Sequence, residues 1–270
     1  MNQVLKQNAL LQLFDSHCHF DFPAFDHDRV QVLQQCRQSG VASMLIPAVH
    51  SGSWQQVIEL SQRDDLVCAL GLHPYWTERH QDTDIKLLAN QVERLMAGSN
   101  NPLVAIGECG LDAIAAPHLM SKQIDLLIAQ LALAKQFELP VVLHVRKAHS
   151  ELQQLLKQFS GLRGVVHAFS GSVELGQSYI RLGMKLGIGG TITYPRANKT
   201  RQAVSQLPLE SLLLETDAPD MPMQGRQGQR NSPLYLPTVL EQLTDLRPES
   251  MVVIADRLWR NSQELFGRIS

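Results

Sequence analysis

Short apolar runs recur along this chain, and each is followed by a segment whose apolar residues fall at helical spacing. "LLQLF" precedes "DHDRVQVLQQCRQSG", which ends on a glycine where a helix should stop, and "VASMLIPAV" precedes "SWQQVIELSQRDD". The alternation continues through "LVCALGLHP", "NPLVAIGECGLD", "LPVVLHV", "RGVVHAFSG", "MKLGIGG" and "ESLLLETDAP". Counted this way there are about eight strand-helix units. Unbroken apolar stretches such as "VVL" and "LLL" suit strands of a parallel sheet buried on both faces. The class is α/β, and the count predicts a (β/α)8 TIM barrel; an open doubly wound sheet has a similar rhythm but fits the count less well. With 270 residues, 44% of them hydrophobic, and no low-complexity linker, the expectation is a single domain spanning 1–270.

Charge and cysteine content exclude several classes of function. A net charge of -2 carries no global basic footprint, so any contact with a polyanion has to be local. Cys18, Cys36, Cys68 and Cys109 lie far apart with no C-x-x-C pair, which argues against a zinc ribbon and a disulfide framework and for a reducing, cytoplasmic setting. The start "MNQVLKQNALLQLF" lacks the pattern of a secretory signal, and no apolar run approaches the roughly 20 residues needed to cross a bilayer.

The polar residues fall where a barrel would gather them. In "DSHCHF", His17 and His19 are two apart, so in extended backbone both imidazoles project to one side while Cys18 projects to the other. His73, Glu108, His144, His167 and Asp217 follow or end later apolar runs. The carboxyl ends of barrel strands converge on one rim, so these residues become neighbours there. Singly, each has a plainer reading: His73 as a turn cap before Pro74, Glu108 in a salt bridge with Arg146, Asp217 as a turn residue, Asp15 as a strand end or as the partner that orients an imidazole. Four histidines and two carboxylates from this set are already too many ligands for one tetrahedral ion and suit two ions about 3.5 to 4 Å apart. Metal-assisted hydrolysis is the reaction class that follows. The ion is not readable: imidazole-rich ligation suits Zn or Mn, and Mg prefers oxygen.

The ordered set "DSHCHF", "GLHP", "AIGECGLD", "LPVVLHVRKA", "GVVHAFSG", "LLLETDAP", "RNSP" and "NSQELF" resembles the TatD family of metal-dependent deoxyribonucleases over nearly the whole chain. The resemblance implies that His17, His19, Glu108 and Asp217 hold one divalent cation (Zn, Mg or Mn) and that Glu108 bridges to a second completed by His144 and His167. It implies catalytic roles for Glu108 and Asp217, the latter acting on the attacking water, and substrate-phosphate contacts for His73, Arg146 and Arg230. The implied substrate is DNA, taken as a single strand and trimmed from an end, with no membrane and no obligate protein partner. One departure stands out: after "GLD" the family commonly has aromatic residues, whereas this chain reads "AIAAPH". That departure keeps open a small amide, lactone or phosphate ester as the substrate. Tyr75, Trp76, Phe169 and Tyr194 are candidate replacement stacking surfaces, and Arg146, Lys147, Arg196, Lys199, Arg201, Arg226 and Arg230 a candidate basic mouth.

Overall fold

In the computed structural model, which describes residues 11–267 and 269, eight parallel strands form one sheet in sequential order. Residues 1–10, most of the segment read above for a secretory signal, lie outside the described residues. The strands are β1 (Leu13–Asp15), β2 (Val41–Pro47), β3 (Leu66–Leu70), β4 (Leu103–Asp112), β5 (Val141–Arg146), β6 (Gly164–Val166), β7 (Met184–Ile188) and β8 (Leu212–Leu214). The sheet closes on itself: the Ser16 amide donates to the Leu214 carbonyl at 2.9 Å and the Asp217 amide to the His17 carbonyl at 2.9 Å. This is a (β/α)8 barrel, as the eight-unit rhythm predicts.

Helices α1 (Arg29–Gln38), α2 (Trp54–Leu60), α3 (Asp84–Ala97), α4 (Met120–Gln136), α5 (His149–Gln158), α6 (Val173–Arg181) and α7 (Asn198–Gln206) alternate with the strands. After β8 the expected final helical region is two helices, α8 (Leu236–Asp245) and α9 (Met251–Phe266). Strand alternation sorts the apolar side chains into two layers. Met44 and Ile46 of β2, like Val141 and Leu143 of β5, pack toward the helices; Leu45 and Val142 between them join Phe14, Val67, Val104, Val165 and Leu213 in the other layer. Leu265 and Phe266 at the end of α9 complete that second layer, with the Phe266 ring 5.8 Å from Phe14. No described helix is long and apolar enough to cross a membrane.

The courses of two strands matter for the site. β1 stops at Asp15, so His17 and His19 lie beyond it on extended chain tied by a bridge from Cys18 to Ala218. β4 runs on to Asp112, so Glu108 sits inside a strand rather than at its end. The β4–β5 register slips between Ile106 and Cys109, and at this irregularity Glu108 leaves the ladder and enters the barrel mouth.

Candidate metal centre

Glu108 is the hub of the mouth. Its Oε2 lies 3.1 Å from His17 Nε2 and 3.4 Å from His19 Nε2, and its Oε1 lies 2.8, 3.2 and 2.9 Å from His73 Nε2, His144 Nδ1 and His167 Nε2. Asp217 Oδ1 completes the ring at 3.6 Å from His17 and 3.7 Å from His19. All six residues that the resemblance assigns to metal are therefore brought together from five stretches of chain.

The polar atoms here are buried and largely unspent. Despite five imidazole nitrogens close by, neither oxygen of Glu108 makes a hydrogen bond of good geometry, and His17 Nδ1, His19 Nδ1 and His167 Nδ1 make no hydrogen bond, although Glu215 lies 3.9 Å from the last. A buried carboxylate left so costs several kcal/mol unless a cation completes the arrangement. The donor set of imidazole and carboxylate fits a divalent transition metal. His17, His19 and Asp217 converge closely enough to share an ion, and so do His73, Glu108 and His144, and His17, His167 and Glu215.

The electrostatics follow from crowding one carboxylate with bases. Burial by itself would raise Glu108, but the surrounding His73, His167 and His17 hold it well below the usual carboxylate range, and His167, raised to about 10 by that same carboxylate against burial, is a ring that carries positive charge. Burial pushes His19 down to about 4 and His17 well below its ordinary value, so both rings stay neutral with lone pairs available. Burial raises Asp217 to about 7, against the pull of His167.

Hydrogen bonds to the far side of two rings settle their tautomers. The Tyr75 amide donates to His73 Nδ1 at 2.9 Å, which places the proton of the neutral ring on Nε2, close to Glu108 but outside hydrogen-bond geometry. His73 is thus a donor at the mouth, the form a phosphate contact requires. Asp112 Oδ2 lies 3.2 Å from His144 Nε2 and holds a proton there, which directs the Nδ1 lone pair into the centre, 3.2 Å from both His167 Nε2 and Glu108 Oε1. The reading of residues alone did not single out Asp112 or Glu215. Both stand in quoted motifs, Asp112 four residues after Glu108 and Glu215 two before Asp217, and a carboxylate closing an apolar strand was the available signal. Glu215 Oε1 accepts the Ala168 amide at 2.5 Å, which fixes the turn that carries His167. Asp15 orients no imidazole. Its carboxylate accepts the His17 and Thr216 amides and the Thr216 hydroxyl, joining the two segments that carry His17 and Asp217.

The expected substrate contacts separate in space. Arg146 and Lys147 line a cavity of about 440 Å³ together with His144, His167 and Asp217. Arg230, expected as a phosphate contact, has its guanidinium on Asp28, at 2.8 Å from Oδ1 and 2.5 Å from Oδ2, on the Ala24 carbonyl and against the Phe25 ring, so three of its five N–H donors are spent within the protein. The basic mouth is likewise narrower than the charge count implies. Arg201 donates to the Ile192 carbonyl, Arg226 stacks on Tyr235, Arg196 on Tyr194, and Lys199 is an exposed residue of α7.

Residues 14–267 match the family described as TatD related DNase. The chain belongs to the TatD family. The uncharacterized metal-dependent hydrolase YjjV of Escherichia coli (strain K12) is 44% identical to this TatD-family chain over 260 residues, covering 96% of it and 99% of the relative. The crystal structure of YJJV, described as a TatD homolog from Escherichia coli K12, superimposes with a TM-score of 0.90 at 44% identity over 94% of this chain and 98% of that one. The 3'-5' ssDNA/RNA exonuclease TatD of Pantoea ananatis is 32% identical over 266 residues, 95% of this chain and the full length of the relative. As a TatD-family member the chain is a metal-dependent hydrolase.

Proposed function

We propose that this hydrolase cleaves phosphodiester bonds of DNA, trimming single strands from an end, with two divalent cations held by His17, His19, Glu108 and Asp217 and by Glu108, His144 and His167. The observation that carries the reading is the central Glu108 carboxylate, one oxygen facing His17 and His19 and the other facing His144 and His167. Bound there, such ions supply a hydroxide near neutral pH and neutralise charge developing on phosphoryl oxygens. The protein's own groups supply the rest. The Nε2 proton of His73 is available to a non-bridging phosphate oxygen, Arg146 and Lys147 attract the polyanion, and Asp217, beside His17 and His19, orients the attacking water and takes its proton. The Pantoea ananatis relative, a 3'-5' ssDNA/RNA exonuclease, supports a single-stranded nucleic acid as substrate. We place the enzyme in the cytoplasm, as one domain of 1–270 with no obligate protein partner, in keeping with four free and buried cysteines.

The test is release of labelled nucleotide from single-stranded DNA labelled separately at each end, with Mg or Mn supplied. Wild type is expected to release label and Glu108→Gln to lose at least about a thousandfold in rate. A metal-loaded wild type inert on every DNA form would overturn the reading. It would leave the alternative of a small amide, lactone or phosphate ester, which the non-aromatic loop at 113–118 favours.

A further inference from the structure

Three cavities lie in a row across the barrel mouth. The central one, about 380 Å³, is lined by Glu108, His73 and His144 and also by Phe22, Tyr75 and Trp76. On one flank it meets the cavity with Arg146 and Lys147, sharing His144, His167 and Asp217 with it. On the other it meets a cavity of about 400 Å³ that shares Phe22, Val49 and Trp76 and adds Asp21, His50 and Gln56. Arg146 and Lys147 thus stand on one side of the metal centre, and the Phe22, Tyr75 and Trp76 rings, with Arg79 against Trp76, on the other.

Of the four aromatic residues near strand ends, two are otherwise engaged. Phe169 is 3% exposed within the core, and the Tyr194 hydroxyl donates to the Pro222 carbonyl at 2.7 Å. Tyr75 and Trp76 instead occupy the short turn Pro74–Trp76 that His73 caps, with the Trp76 amide donating to the His73 carbonyl at 3.0 Å. Tyr75 is 61% exposed, and Trp76 is half-buried and braced by the His50 ring edge at 5.5 Å and the Arg79 guanidinium at 4.4 Å. A ring held this way is fixed beside the metal centre, so a base stacking on the face that Arg79 leaves uncovered would do so at little entropic cost.

Resting on the nuclease reading, we infer that Trp76, flanked by Tyr75, is the platform on which the base of the terminal nucleotide stacks, while the neighbouring backbone phosphate lies toward Arg146 and Lys147. The turn supplies the aromatic surface that residues 113–118 lack, because that loop is folded instead on the Asp112 carboxylate through the Ile114 and Ala115 amides. Stacking of this kind accepts any base, so little sequence preference is expected.

The experiment compares oligothymidylate with the same strand ending in an abasic residue. Wild type should show a KM lower for the base-bearing strand by roughly fivefold or more, with kcat similar. Trp76→Ala should bring the ratio of the two KM values to about one, and Trp76→Phe should restore most of it. A preference that survives in Trp76→Ala overturns the proposal. Failure of wild type to cleave either strand would remove the nuclease reading, and the stacking is then decided by tryptophan fluorescence of the metal-free protein titrated with thymidine 5'-monophosphate. Quenching in wild type that is absent from Trp76→Phe, which retains Trp54 and Trp259, upholds the platform; equal traces overturn it.

Discussion

At the scale of single residues, the site works through which atom of each ring carries a proton. Asp112 offers one oxygen to His144 Nε2 and the other to the Ile114 and Ala115 amides, so the carboxylate is spent on both sides. In Asp112→Asn the remaining oxygen stays with the backbone amides and the amide nitrogen turns to His144, which drives the ring proton onto Nδ1, the atom facing Glu108. Metal affinity should fall about 10- to 100-fold with the fold retained. Competition with a chelator, read alongside circular dichroism, checks this, and unchanged affinity would remove Asp112 from the positioning role. Arg230 shows the converse: an arginine in a family motif is tied here to the protein itself, through Asp28 and the Ala24 carbonyl.

At the scale of elements, β4 and β5 deliver Glu108 and His144 by unusually close approach. Gly110 pairs with His144 and has φ +151°, and a Cβ there would run into the His144 backbone carbonyl. Gly110→Ala combines backbone strain with a clash against main chain that cannot rotate away, so it should cost about 3 kcal/mol or more. For a chain of this size that is a fall in Tm of roughly 6 °C or more, with metal affinity reduced as His144 is displaced. Thermal unfolding monitored at 222 nm with and without added Mn would reveal a variant as stable as wild type if the close approach were unimportant.

At the scale of the whole molecule, the closed barrel leaves all four cysteines inside. Burial pushes Cys36 and Cys68 up to about 12 and Cys18 and Cys109 well above the ordinary thiol value, so every thiol stays protonated at pH 8. Native protein should therefore react with a thiol reagent at pH 8 only as fast as it opens, while denatured protein titrates all four at once. Rapid labelling of the native form would show that the helical shell is looser than its packing.

The sequence by itself determined the barrel, because the alternation of apolar runs with helical periodicity is local and repeats at the same pitch throughout. It also determined the chemical type of the centre, since histidines and carboxylates at the ends of apolar strands have few other uses in such number. Tertiary structure alone decided which partners those groups have. Glu108 lies within β4 rather than at its end because of a register slip that depends on pairing with β5. The tie of Arg230 to Asp28 spans 202 positions and that of His144 to Asp112 spans 32, distances over which periodicity carries no information. A charged side chain is claimed by the nearest complementary group in space, and closing the barrel sets what is near.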